Sequence, residues 1–481
     1  MSVLVAWVAF PLAAAALCAG LGLLADALSG RRLPGALVAP AGLVAMVALG
    51  GLATLAGAGI ALTATALIAA AGLGPLAALP WRFGRPDPWA AGAALAVFAL
   101  FAAPVVLSGE PTFAVYGGPE AMAEWLSLLG GDPGGPLVPI ALVEQLLGGE
   151  AAWYLQPYLA LLGALLALTA WQFARAPDID HTRGGSMSGA LPGGASLGPR
   201  ARALVAFFAA VPALIFGYAG PFSALSIDAG PWLAFVALLA LCAATFAVAF
   251  RVATTQPPAA LALLAAALTA CALFASANLA LAPYERLEEL RQVDERFAGE
   301  GPALIVERDP LAPYFLGDLA PDGAVDPEAA GIPARSGEES GGEEPFDTDQ
   351  FDFEALLAYP LLIVPRSEAH SRPPLPYRRA WQGEGYEAWR LPPRATFRLL
   401  FHMSIGGPLS AAALPDCSHT VGLGLLALAN QLGAAPQDIT LIAAAPRRGS
   451  RLGATVAVPP DRAGDLCGRR WDWIEAIAPS A

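Results

Sequence analysis

The sequence predicts a membrane all-α helical bundle of about eight transmembrane helices followed by an extracytoplasmic α/β domain, and three observations predict it. The 481-residue chain is 56% hydrophobic and only 14% charged, against about 25% charged in an ordinary soluble domain. Its charge is unevenly spread: residues 1–281 hold 9 Arg and 11 acids, whereas residues 282–481 hold 18 Arg and 29 acids. Apolar runs of about 20 residues, the length that crosses about 30 Å of hydrocarbon at about 1.5 Å per residue, recur through the first part and are missing from the second. The net charge of −13 leaves no basic face for a phosphate backbone and speaks against nucleic acid as a partner. Membrane lipid is the partner that the apolar runs require.

The expected spans cover approximately 3–25, 36–56, 59–79, 89–107, 152–173, 203–220, 231–250 and 259–281. Loops after the first, third, fifth and seventh carry Arg31 and Arg32, then Arg82 and Arg85, then Arg175, Arg183, Arg200 and Arg202, then Arg251; the loops between carry none. Arginine in short loops stays cytoplasmic, so both termini are expected outside a plasma membrane crossed several times. The outer loop is then 108–151, and the Gly/Ser/Pro linker 174–202 is cytoplasmic. No positive residue precedes Val3, and Leu17 stands where a lipoprotein signal would need a small residue before Cys18. The first run therefore reads as a retained helix. Small residues such as those of Gly50–Gly59 let neighbouring helices approach closely in lipid.

The outer loop 108–151 is acidic, with Glu110, Glu120, Glu124, Asp132, Glu144 and Glu150 and no Arg. The run Val106-Leu107-Ser108-Gly109-Glu110-Pro111-Thr112-Phe113-Ala114-Val115-Tyr116, then Ala123-Glu124-Trp125-Leu126, then Ala152-Trp153-Tyr154-Leu155-Gln156-Pro157-Tyr158 resembles a group of actinobacterial polytopic membrane proteins of the C-type (GT-C-like) glycosyltransferase superfamily. Further collinear pieces are Pro212–Tyr218, Glu285–Leu290, Gly301–Ile305, Ser371–Arg378 and Tyr386–Trp389. The resemblance implies an enzyme that takes a hexosyl or pentosyl group from a polyprenyl-phosphate donor at the outer face and passes it to an acceptor glycan of the cell envelope. In that group the loop carries a tyrosine, adjacent aspartates and then a tryptophan. Tyr116 and Trp125 match, while the acid pair here reads Glu120-Ala121. Glu120 is the expected base, and in a helix over 119–128 Glu124 would share its face at i+4. Tyr116, Trp125, Trp153 and Tyr154 are the expected sugar-stacking rings, although Trp and Tyr also belt any membrane interface. The resemblance leaves a divalent metal ion open as a cofactor.

The chain also departs from that group. One acid of the pair is missing, and only two spans fit between the sixth helix and Pro283. Those departures support an alternative: a non-catalytic relative serving as scaffold or partner subunit in envelope assembly. A transporter would place charge at mid-span, and the spans carry none away from their edges.

Residues 282–481 read as a soluble α/β domain with an acidic loop at 317–354. Leu287, Leu290, Val293 and Phe297 recur at helical spacing over 284–297. Strands are expected at Ala303–Val306, Leu361–Val364, Ile439–Ala443 and Ala454–Val458, with a helix near 419–432. Tyr377–Trp381 and Tyr386–Trp389, joined by Gln382-Gly383-Glu384-Gly385, read as a hairpin with aromatic cross-strand pairs. Asp347, Asp349 and Asp352 lack the spacing of an EF-hand, and His181, His370, His402 and His419 have no metal-ligand spacing, so no metal site is assigned. Cys417 and Cys467 are the two cysteines of the outward domain, where oxidising conditions permit a disulfide.

Overall fold

A computed structural model describes residues 2–30, 33–78, 87–115, 137–175, 198–218, 280–322, 347–368, 370–393, 396–405, 412–448 and 451–480, with 122–123, 126–127, 129, 247 and 249. The chain divides into two compact units, Met1–Tyr284 and Glu285–Ala481.

The first unit is helical: α1 (Phe10–Ser29, preceded by the turn Val5–Ala9), α2 (Gly35–Leu55), α3 (Ile60–Ala78), α4 (Pro88–Ser108), α5 (Val138–Leu147), α6 (Leu155–Arg175) and α7 (Pro199–Tyr218). Among the described residues four stretches are long and apolar enough to cross a membrane: Val5–Ser29, Gly35–Thr54, Ile60–Ala77 and Ala151–Arg175. The apolar stretch Pro88–Ala103 is shorter, and α7 falls where the sixth span is expected. The expected seventh and eighth spans lie almost wholly outside the described residues, as does most of the linker 174–202.

Helix packing in this unit rests on backbone approach. α1 packs against both α2 and α3. A Cβ built on Gly42 of α2 would stand 1.6 Å from the Cys18 carbonyl oxygen, and one on Gly74 of α3 1.9 Å from that of Gly20. Only glycine permits such an approach, which in lipid replaces the hydrophobic drive that water supplies elsewhere. α4 starts where the Asp87 side chain accepts from the Trp89 N–H at 3.0 Å and ends at Gly109, whose φ of 79° suits glycine. Its Val97, Phe101 and Val105 pack with Trp7 of the first turn and Ala160 and Ala167 of α6. Two short strands, β1 (Ala114–Val115) and β2 (Ala280–Leu281), pair antiparallel, and the buried Thr112 hydroxyl donates to Ala282 O at 2.6 Å.

Among its described residues the second unit holds two four-stranded sheets. In the first the order is β3 (Ala303–Ile305), β4 (Leu361–Pro365), β6 (Tyr386–Arg390), β5 (Arg378–Gln382), with β3 and β4 parallel and the other pairs antiparallel. The second is antiparallel, in the order β7 (Phe397–Ser404), β10 (Trp473–Pro479), β8 (Thr440–Ala444), β9 (Thr455–Val458). α8 (Tyr284–Phe297) buries Leu287, Leu290, Val293 and Phe297, the stripe its spacing predicts. Glu289 fastens it by accepting from the Gly385 and Tyr386 N–H groups at 2.8–3.1 Å. α9 (Cys417–Leu428) is capped by Asp416 and bonded through Cys417 to Cys467, with Cα atoms 5.6 Å apart.

Two sequence readings need correction. The 377–389 hairpin forms, but a bulge between Arg379 and Trp381 sets Trp381 opposite Ala388 and Arg379 opposite Trp389, so its aromatic residues do not pair across the strands. The reason lies in burial: Tyr386 and Trp389 turn into the core while β5 lies at the sheet edge with Arg378, Arg379 and Ala380 exposed. Sequence patterning also missed β7 and β10, whose ionisable residues interrupt the apolar alternation.

We expect Gly42→Leu to destabilise the first unit by about 1–3 kcal/mol or more, as overpacking does. Gly92→Leu, where a Cβ meets nothing within 4 Å, should be near neutral in the same detergent-unfolding titration.

Candidate functional site

Among the described residues of the first unit, Glu144 is a carboxylate in an unusual setting. α5 begins with Pro139 in its first turn and buries Val138 through Val143, which places Glu144 at the inner end of its last turn, half-buried. Gly148 ends the helix with a φ of 67°, and the chain returns through Glu150 to the turn Ala151–Tyr154. Burial, and then the like charge of Glu150, push the Glu144 carboxyl up to about 7, against a smaller opposing pull from the Ala151 N–H that it accepts. Tyr154 ties the two segments, donating its hydroxyl to Gly148 O at 2.5 Å.

Of the residues expected to form the outer site, Tyr116, Glu120, Glu124 and Trp125 lie outside the described residues. Trp153 and Tyr154 are described, and both are fully buried. Trp153 is tilted against Phe113 at 5.5 Å and meets Tyr284 edge-on at 4.9 Å. Tyr154 stacks on Phe10 at 4.7 Å and 12°. Protein therefore occupies the faces expected for a sugar, and these two rings anchor the start of α6. Glu144 appears in the sequence only as one of six loop acids. The signal that singles it out is its place at the end of a short apolar run, Val138–Val143, closed by Gly148-Gly149.

The second unit holds a buried polar cluster. Glu387 of β6 is 0% exposed and receives both terminal nitrogens of Arg447, at 2.7 and 3.0 Å. It also accepts from Arg379 at 3.0 Å and from the Trp389 indole at 3.1 Å. Burial acts to raise its pKa, but the two guanidiniums outweigh that and hold it below the usual carboxylate range. On the other sheet His402 of β7 faces Glu475 of β10 in direct register. Its Nδ1 is 2.8 Å from Glu475 and its Nε2 3.1 Å from Asp349. Burial disfavours the imidazolium, yet the hydrogen bonds to the two acids prevail and lift it to about 10. Phe353 stacks on the His402 ring. Glu475 also accepts from the Leu375 N–H.

Arg372 joins the two halves of this cluster, its guanidinium 5.5 Å from the Trp389 ring and 5.9 Å from Trp473. Burial, then the negative charge of Asp349, push Asp472 up to about 7. Burial and the neighbouring Asp349 do the same to Asp347, also to about 7. Burial and the charge of Arg447 push His370 down to about 4. Asp349 Oδ2, His370 Nδ1, Arg372 Nε, Arg447 Nε and Asp472 Oδ1 are buried without a hydrogen-bond partner among the described residues. Among the described residues no group of three or more His, Cys, Asp or Glu is placed to hold a metal ion.

No family model, curated protein or solved structure matches the chain.

Removing Arg447 strips the buried Glu387 of its bidentate cation and leaves Arg379 as the guanidinium hydrogen-bonded to it. Arg447→Leu should therefore cost roughly 3–5 kcal/mol, read from denaturant unfolding of the full chain. A raised folded-state pKa contributes stability that is complete below the unfolded value and lost as pH climbs through the folded one. For His402 that window runs from the ordinary imidazole value of 6.5 to about 10. The cluster should thus loosen between about pH 7 and 10, seen as faster hydrogen exchange in peptides from β7 and β10 after correction for intrinsic rates. His402→Gln should flatten that rise; an equal rise in both proteins would contradict the assignment.

Proposed function

We propose that the chain is an integral membrane protein of GT-C-like glycosyltransferase type, handling a polyprenyl-phosphate-linked sugar at the outer face for cell-envelope glycan synthesis. The observation that carries this reading is Glu144, a carboxyl held near neutrality by burial and by Glu150 in the loop where the sequence resemblance puts the chemistry. A base with a pKa near the working pH is the efficient choice for activating an acceptor hydroxyl. In the transfer, the acceptor oxygen attacks the anomeric carbon as the Glu144 carboxylate takes its proton, and the polyprenyl phosphate departs with the bonding pair. Glu120 remains the second candidate base.

An eight-span bundle with both termini outside agrees with the arginine partition, and the Cys417–Cys467 bond suits an oxidising, extracytoplasmic compartment. The scaffold reading has one observation of its own: Trp153 and Tyr154 serve packing and leave no ring face for a sugar.

Native mass spectrometry of the purified chain should detect stoichiometric binding of an added polyprenyl-phosphate lipid. With such a donor and a glycan acceptor, Glu144→Gln should lower turnover by about 10²–10⁴-fold and erase an activity step near pH 7, with lipid binding kept. Lipid binding without turnover, or turnover indifferent to both Glu144→Gln and Glu120→Gln, would favour the scaffold reading.

A further inference from the structure

Three arginines of the first unit gather where α4, α6 and α7 share one end. α6 runs toward that end and stops at Arg175, while α4 and α7 start there, at Pro88 and Pro199. Small side chains join the helices: Ala90 and Ala93 of α4 pack with Ala170 and Trp171 of α6 and with Ala206 and Ala209 of α7. One turn nearer the end, Ala174 of α6 packs with Ala201 and Val205 of α7. Ala174 precedes Arg175, and Ala201 stands between Arg200 and Arg202, so this contact brings the three arginines to one level. Arg200 lies over the Trp89 ring, its guanidinium carbon 5.7 Å from the centroid, and Trp89 is itself 42% exposed.

The protein leaves this positive charge largely uncompensated. Arg175 and Arg200 are exposed, and neither forms an ion pair among the described residues. Asp87, next to Trp89 in the chain, is committed to capping α4, and Asp26 accepts from the Leu33 N–H. The first turn of α7 holds no acid, so Arg200 and Arg202 sit at the positive end of its dipole, a placement that helix stability alone disfavours. Arg175 closes a stretch long and apolar enough to cross a membrane, which sets these guanidiniums at the level of lipid headgroups. Exposed tryptophan beside arginine is the composition of that layer. The anion available throughout it is the phosphodiester, whose oxygens a guanidinium fork binds in pairs. A zwitterionic lipid brings its own cation to the same place, so a cluster of arginines selects a headgroup of net negative charge.

We propose that Arg175, Arg200 and Arg202, with Trp89 as the platform for Arg200, bind the headgroup phosphate of an anionic phospholipid in the leaflet at that end. The length of α6, about 30 Å, separates this site from the turn Ala151–Tyr154, so the proposal does not depend on sugar transfer beside Glu144. Native mass spectrometry of the full chain compares binding of phosphatidylglycerol and of phosphatidylcholine with the same acyl chains. Phosphatidylglycerol should bind more tightly by about 5-fold for each arginine engaged, and Arg175→Gln with Arg200→Gln should remove most of that preference. Arg175→Lys with Arg200→Lys, which keeps the charge, should bind phosphatidylglycerol more tightly than the glutamine pair does. Arg448→Gln with Arg451→Gln removes two exposed arginines of the second unit and should leave the preference unchanged, which separates a site from overall charge. Equal binding of the two lipids by the parent chain would overturn the proposal. So would a preference that survives in the Arg175/Arg200 glutamine pair, or an equal loss in the second-unit pair. Displacement of the lipid by inorganic phosphate would overturn it as well, since that marks a site for a soluble anion.

Discussion

Two carboxylates without solvent exposure organise the C-terminal unit: Glu387 in the middle of one sheet and Glu475 in the middle of the other. Each is a charge that folding has taken out of water, and such a charge persists only where its partners are complete. Glu387 draws in Arg447 from the loop after β8, so a strand of the second sheet reaches the first. Glu475 holds His402 across the ladder and the Leu375 backbone from the segment before β5, so the first sheet's chain reaches the second. The two sheets are thereby tied by an ion pair in one direction and by a backbone-to-carboxylate hydrogen bond in the other. Arg372 lies between them against the faces of two tryptophans. Such a network adds little to net stability over an apolar core of the same shape, but removal of one member strands the others.

The membrane unit answers a different constraint. Lipid offers no hydrogen bonds to the backbone, so spanning segments must be helical, and the helices cohere by contact rather than by water exclusion. Gly42 and Gly74 serve that end by bringing α2 and α3 onto the backbone of α1. Trp153 and Tyr154 lock the entry to α6, and in doing so bring the chain back past α5. The raised Glu144 carboxyl is a consequence of that return, since Glu150 and the burying helix are both brought to it by the same turn.

How much of this was legible from the sequence depended on the length scale of the signal. The membrane helices and α8 could be read directly, because a 20-residue apolar run or a four-member stripe is a local pattern. The Cys417–Cys467 pair was legible because these are the two cysteines of residues 282–481. The strands β7 and β10 were not, because His402 and Glu475 look like interruptions in an apolar strand until each is seen to be the other's partner. Asp349, in a stretch that reads as an acidic surface loop, is buried for the same reason: its neighbour in space is His402, 53 residues away. Trp153 and Tyr154 illustrate the converse, since aromatic side chains near a membrane edge carry one meaning when their faces are open and another when Phe10, Phe113 and Tyr284 cover them.

The sequence by itself determined that this chain has a membrane part and a soluble part, because hydropathy and charge are properties of segments and need no fold to be counted. Only the tertiary structure decided which of its 40 acidic residues are chemically unusual. A carboxyl group shifts when water is removed from it and another charge is brought near, and both depend on residues that are distant along the chain. Glu144, Asp347, Asp472 and Glu475 are ordinary letters in the sequence; the packing around each one makes its proton affinity particular.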